Sequence, residues 1–288
     1  MSNNMIYTRA IHGFTVVALA AALVACGGGG SDGGDSSPLP ITPGTTTPGT
    51  TPGTTTPPVV TEDLQAYKAS SYPASDPRQY MFDQINTART QCGFGALHHN
   101  TKLDTAAQGH ADWLARNNYS GHFQAVGTPG FTGVAPWDRV TAAGYPYIET
   151  SEGLGAAIGA ERVDYHKEHV PGQLATVYHA IGILRPLREI GFGHAVRSAF
   201  GLSPGFLTGH NIATATDRQK TSDVATYPCQ GVVASFTFHP DETPNPLSPR
   251  DLDANPPGHP IVVVSPYGTK LTDLAFVVTD VAAGSNVA

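Results

Sequence analysis

Cysteine is scarce in this 288-residue chain: there are three, Cys26, Cys92 and Cys229. None has a second cysteine at ligand spacing, which argues against a cysteine-built metal site. A Gly-rich phosphate loop is missing, so nucleotide binding is not expected. No serine sits in a nucleophile-elbow setting. Beyond the first residues there is no second long apolar run, so the body of the chain is expected to be soluble. Basic residues are outnumbered, 16 Lys+Arg against 23 Asp+Glu. That balance excludes nucleic acid as an expected partner and an electrostatic grip on anionic lipid.

The first residues have the layout of an export signal. Arg9 gives a weak positive start, and Phe14 to Ala22 is an apolar run too short to span a bilayer. It ends Leu23-Val24-Ala25-Cys26, the pattern of a bacterial lipoprotein signal, whose cysteine receives diacylglycerol and becomes the new N-terminus. The competing reading is an ordinary signal peptide followed by a chance cysteine. The Gly/Ser tract that follows is the usual tether and favours lipidation. Two or three acyl chains on one cysteine hold far better than one. The expected location is extracytoplasmic, anchored in the bilayer through acylated Cys26. Gly27 after the cysteine, rather than aspartate, favours the outer membrane in a Gram-negative cell. Cleavage before Cys26 removes Arg9 and no acid, leaving 15 Lys+Arg against 23 Asp+Glu, a net −8.

Residues 1–25 are thus read as signal peptide and 26–60 as tether. Gly and Ser come first, then a Thr-Pro-Gly repeat from Thr42 to Pro58. This composition cannot bury apolar surface, and proline biases it toward extended geometry with a reach of roughly 50 Å. It is a spacer. A folded domain is expected over 75–235, followed by a loop and short β appendage over 236–288.

Within the domain, Ser75-Asp76-Pro77 reads as a helix start, with apolar Met81, Phe82, Ile85 and Ala88 at helical spacing and Gly93 as the stop. Asn100 caps a second helix whose buried stripe is Leu103, Ala106, Ala107, His110, Trp113 and Leu114. His110 on that stripe reads as a hydrogen-bonded core histidine rather than a ligand. Pro136 to Ala143 is a short helix closed by Gly144, and a further helix is expected to end over Leu174 to Tyr178, just before His179. Strands are expected at Ile148 to Leu154, Glu189 to Val196 and Phe206 to Ala215, then at Ile261 to Ser265 and Leu274 to Thr279. Short glycine-rich loops between helices and strands favour an α+β layered domain over a doubly wound sheet.

Cys92 and Cys229 remain as a pair after Cys26 is taken by lipid. In an oxidising compartment they read as one disulfide, the alternative being two buried free thiols. A loop of about 137 residues would add a few kcal/mol of stability in the chain-entropy model. His166 and His169 could share a helix face. Pro171 interrupts that helix, however, and Lys167 and Glu168 suggest a solvated surface, which speaks against a ligand role. Asp138-Arg139 reads as a structural ion pair near a helix start rather than a catalytic dyad.

Several short motifs recur in a fixed order. They are Asn86-x-x-Arg89, Leu103-Asp104-x-Ala106-Ala107-x-x-His110-Ala111 and Asn118-Tyr119-x-x-His122. Asp138-Arg139-Val140-x-Ala142-Ala143-Gly144-Tyr145 follows, then Tyr178-His179-x-x-x-Ile183-Leu184-x-Pro186 and Glu189-Ile190-Gly191-Phe192-Gly193. In this order and spacing the run from about Tyr80 to Val196 resembles the CAP superfamily, the SCP-like extracellular domain. The resemblance implies a three-layer α-β-α sandwich. It also implies a cleft where His122, Glu152 and His179 converge.

Departures from the family pattern matter. The family's Gly-Glu-Asn is here Ser151-Glu152-Gly153, and the histidine-arginine pair is His179-Ala180. A second glutamate found in many eukaryotic members has no counterpart in Gly172-Gln173-Leu174-Ala175-Thr176. Two histidines and one carboxylate suffice for three ligands and an open position on Zn²⁺ or another divalent ion. The competing reading is that the same residues hold two layers together by hydrogen bonds, with a hydrolytic site the least favoured of the three. Two functions compete. One is a non-catalytic module that presents a groove to a lipid, peptide or cell-wall ligand. The other is a metal-dependent hydrolase of extracellular peptide or glycan. An enzyme needs a base beside the metal, and without a second carboxylate the balance tilts to binding.

Overall fold

A computed structural model describes residues 69–159, 164–203, 205–215, 224–234 and 244–266, with scattered positions between and beyond, Glu242 among them. The export signal, Cys26 and the tether lie outside the described residues, as does most of the strand expected at Leu274 to Thr279.

The first helix, α1 (Pro77–Gln91), begins where the carboxylate of Asp76 accepts the Arg78 N–H at 2.8 Å, and ends before Gly93 at φ +80°. The second, α2 (Thr101–Asn117), starts with the Asn100 side chain accepting the Lys102 N–H at 3.0 Å. Its buried stripe is the apolar one read from the sequence, His110 included. Next comes α3 (Pro136–Ala142), followed by Gly144 in the left-handed region. Then come α4 (His166–Leu174) and α5 (Val177–Leu184). His179 is therefore inside the first turn of its own helix, not after the end of one. Pro171 lies inside α4 without ending it. Its missing N–H frees the Lys167 carbonyl, which instead accepts from the Gln84 side-chain amide at 3.2 Å.

The main sheet has four strands in the order β1-β3-β4-β2: β1 (His98–His99), β2 (Glu149–Ile158), β3 (Glu189–Val196) and β4 (Gly205–Thr214). The two-residue β1, parallel to β3, was not legible as a strand. The rest pair antiparallel, with Glu152 opposite Asn211 and Asn211 opposite Gly191. Side chains alternate across a strand, so Glu152, Asn211 and Gly191 share one face. Gly153, His210 and Phe192 share the other.

Helix α2 lies on the first face at backbone contact. A Cβ at Gly191 would stand 2.1 Å from the amide nitrogen of Asp104, and one at Gly193 would stand 2.3 Å from the carbonyl oxygen of Ala107. Only glycine at 191 and 193 permits that approach. Asp104 uses the closeness: its Oδ1 accepts the Phe192 N–H at 2.9 Å and its Oδ2 pairs with Nε2 of His99 at 2.7 Å. The second face carries α1, α4 and α5. Met81, Phe82 and Ile85 from α1 meet Val170 and Leu174 from α4, Ile183 and Leu184 from α5, and Ile190, Phe192 and Ile212 from the sheet. Helices thus cover both faces of the sheet, an α+β fold in three layers.

The other motif residues of α1 are staples. Asn86 gives and receives hydrogen bonds with the Leu97 backbone at 3.0 and 2.7 Å. The buried guanidinium of Arg89 donates to the carbonyls of Gly95, Ile183 and Arg185, closing the end of α5. Cys92 and Cys229 form a disulfide with Cα atoms 5.4 Å apart, within bridging range. Beside it, β5 (Ala225–Tyr227) pairs antiparallel with β6 (Val262–Val264). Ala225, Tyr227 and Val262 join the main core, so this part of the appendage is packed onto the domain. A last two-stranded ladder joins β7 (Thr279–Asp280) and β8 (Ser285–Asn286).

Candidate functional site

Glu152 is the centre of a buried polar cluster on the α2 face of β2. One nitrogen of Arg139, Nη2, donates to both of its oxygens at 2.8 and 2.7 Å. His122 donates from Nδ1 to Oε1 at 2.8 Å, and Asn211 from Nδ2 to Oε2 at 3.4 Å. A carboxylate only accepts, so the His122 proton sits on Nδ1. His110 comes within 3.8 Å of Oε1 but donates Nε2–H to the Gly121 carbonyl at 3.0 Å. Its Nδ1 accepts from Gln124 at 3.0 Å. Gln124 is itself buried, and its oxygen accepts the Thr132 N–H at 2.8 Å. This chain of bonds fixes the loop that carries His122.

Arg139 is delivered by α3. Its Nη1 donates to the carbonyls of Gly133 and Val134 at 3.3 and 3.2 Å. The expected Asp138–Arg139 ion pair is not how these residues are used. Asp138 turns back to accept the Ala135 N–H at 3.0 Å and caps its own helix, while Arg139 turns inward to Glu152. Neighbours on a helix project about 100° apart, so an adjacent pair rarely meets.

The electrostatics follow from this packing. Burial alone would raise the Glu152 carboxyl. The His122 hydrogen bond and the Arg139 charge outweigh it and hold it down at about 2. Burial, with the Arg139 charge adding to it, lowers His110 to about 4 against the pull of Glu152, so its ring stays neutral.

His179 belongs to a different pair. It sits on α5, on the other face of the sheet: a Cβ at Gly182 would meet Ser151 Oγ at 2.8 Å, and Ser151 shares the face of Gly153. Nδ1 of His179 contacts Thr176 Oγ1 at 3.0 Å and Glu242 Oε1 at 3.3 Å. Glu242 also accepts the N–H groups of Val177 and Tyr178 at 2.6 and 2.7 Å, capping the start of α5. Sequence reasoning missed this residue. It stands 63 positions beyond His179 in a Pro/Asp-rich stretch with no motif around it.

The three residues expected to converge therefore form two carboxylate–imidazole pairs, His122 with Glu152 and His179 with Glu242. They do not fit a shared divalent ion. Arg139 already neutralises Glu152 and contacts both of its oxygens, and α5 brings His179 to the opposite face of β2. Among the described residues no three His, Cys, Asp or Glu side chains gather to hold a metal ion.

Two aromatic side chains that neighbour the cluster's residues in sequence, Phe123 beside His122 and Trp137 two before Arg139, reach solvent. Phe123 is 55% exposed and Trp137 46%, with their rings edge to face at 6.4 Å. Val134 and Phe131 are exposed in the same loop. A separate cavity of about 410 Å³ opens between α1, α4 and the C-terminal segment, lined by Tyr80, Ala88, Val170, Leu174, Tyr227 and Val232 among others.

Two solved structures are similar to this one. One is an outer surface protein of Borrelia burgdorferi, 16% identical over 50% of this chain and 97% of that one, with a TM-score of 0.40. The other is an extracellular protein containing an SCP domain from Bacillus anthracis, 18% identical over 48% of this chain and 40% of that one, with a TM-score of 0.37. No curated protein matches the sequence. The model of the cysteine-rich secretory protein family, CAP, matches residues 82–200, the stretch that supplies most of α1, α2 to α5, β1 to β3 and the His122, Arg139 and Glu152 side chains.

Proposed function

We propose that this protein is a non-catalytic binding module held outside the cytoplasm by acylated Cys26, with its ligand surface at the Phe123–Trp137 rim above His122 and Glu152. The single observation that carries this reading is the state of Glu152. A general base must accept a proton near working pH. This carboxylate is buried, bonded through both oxygens to one guanidinium nitrogen and held at about 2. It serves as an internal anchor. What it anchors is the His122 loop, whose neighbouring aromatic rings face solvent. Exposed aromatic and aliphatic side chains grouped around a polar centre are the anatomy of a site for a lipid, a peptide or a cell-wall ligand.

Trp137 reports on this site directly, because Trp113, the other indole, is buried. Titration with lipid vesicles, peptides and soluble wall fragments should give saturable quenching with one of the three classes, weakened in Phe123→Ala. Turnover of peptide or glycan that disappears in Glu152→Gln would overturn the reading in favour of a hydrolase. Mass spectrometry of the native N-terminus tests the anchor: a lipid-modified Cys26 is expected, and an unmodified start elsewhere refutes it.

A further inference from the structure

An unexplained polar feature lies on the other face of the sheet. His169 and His210 are each only 2% exposed. The sequence placed His169 on a solvated helix surface, but α4 turns it inward against β4. Nε2 of His169 and Nδ1 of His210 stand 3.4 Å apart with the rings nearly perpendicular, at 80°. Without an ion between them the two rings share a long N–H···N hydrogen bond. Their spacing matches the separation of two nitrogens on one tetrahedral ion: bonds of 2.0–2.1 Å place them about 3.3 Å apart.

We propose that His169 and His210 bind a divalent transition-metal ion of the zinc, copper or nickel class between α4 and the sheet, with the amide oxygen of Gln173 as a third protein donor. Imidazole suits these ions. The far nitrogen of His169 is fixed by Thr208 Oγ1 at 2.7 Å, the kind of outer contact that orients a ligating ring. Gln173 lies one turn after His169 on the same helix face. Its nitrogen donates to the Leu154 carbonyl at 2.8 Å, while its oxygen is buried with no hydrogen-bond partner. Space for the group comes from two glycines of β2. A Cβ at Gly153 would lie 2.4 Å from Cε1 of His210 and 2.6 Å from Oε1 of Gln173. One at Gly155 would lie 2.6 Å from Nδ1 of His169. No larger residue could occupy position 153 without displacing His210. Burial, aided by the charge of neighbouring histidines, lowers both rings, His210 to about 3, so both are in the neutral form that binds metal. Two imidazoles and an amide make a modest site completed by water. It is distinct from the Glu152 cluster and does not depend on the binding role proposed there.

The test is equilibrium dialysis of the untagged mature protein against Zn²⁺ with elemental analysis, and Co²⁺ uptake followed by visible absorption. One equivalent of zinc should bind. His169→Gln and His210→Gln should each weaken it at least about tenfold, whereas His122→Ala should retain it. Gln173→Glu, which adds a charged oxygen ligand, should tighten binding about tenfold and keeps the test decisive if a histidine variant fails to fold. Absence of stoichiometric zinc in the wild type, zinc lost only in His122→Ala, or an unchanged affinity in both Gln173→Glu and the folded histidine variants would overturn the proposal.

Discussion

Nη2 of Arg139 reaches both carboxylate oxygens of Glu152, at 2.8 and 2.7 Å, with both side chains almost wholly buried. Two residues 13 apart in sequence thereby tie α3 to the edge strand of the sheet. A buried pair of this kind is weak evidence for net stability, but breaking it leaves an uncompensated charge.

Arg139→Met should therefore destabilise the domain by about 3–5 kcal/mol. Urea denaturation measures this. Adding Glu152→Gln should recover part of the loss, because a neutral amide needs no counter-charge.

The protein should be acid-labile. In the metal-free protein His110, His169 and His210 are held below the ordinary histidine value by burial. Each binds its proton in the unfolded chain at about pH 6.5 but not in the folded one. Stability therefore falls as pH drops below about 6.5, by up to about 1.4 kcal/mol per pH unit for each group. The fall stops for His110 at about 4 and for His210 at about 3. Glu152 acts in the same direction lower down: its stabilisation is complete above about 4.3 and is lost toward 2. Thermal midpoints from pH 7.5 to 4.5 should decline steadily, and less steeply in His110→Gln.

Reduction of Cys92–Cys229 opens a loop spanning 137 residues. The loss should be about 2–5 kcal/mol, read as a lower denaturation midpoint with a phosphine reductant.

Glu242 caps α5 from a distance and pairs with His179. Glu242→Ala should cost about 1–2 kcal/mol, the upper range for a lost helix cap. Amide exchange at Val177 and Tyr178 should quicken.

Much of the fold was legible because its signals are local. Asp76 and Asn100 cap where they stand, and the stripe from Leu103 to Leu114 repeats at helical spacing. The strand Glu189–Val196 has the bounds read from its sequence. The site was half legible. His122 and Glu152 meet, but Arg139 gave no sign that it would leave Asp138 for a carboxylate on another element. Glu242 and His210 were invisible because their partners are set by tertiary packing rather than by spacing. Gly153 was visible as a departure from the family. That the imidazole of His210 fills the place of a side chain there needs the register of β2 against β4. His169 was misread because charged neighbours on α4 suggested a wet face, whereas the helix turns Lys167 and Glu168 to solvent and buries His169 and Val170 beside them.

The central claim is that Glu152 is a permanent internal anion and not a base. The direct measurement is a ¹³C NMR titration of its side-chain carboxyl in the folded protein. The account predicts no titration from pH 8 down to the onset of acid unfolding, consistent with a value at about 2. A Glu152 resonance that titrates between pH 5 and 8 while the fold stays intact would contradict it.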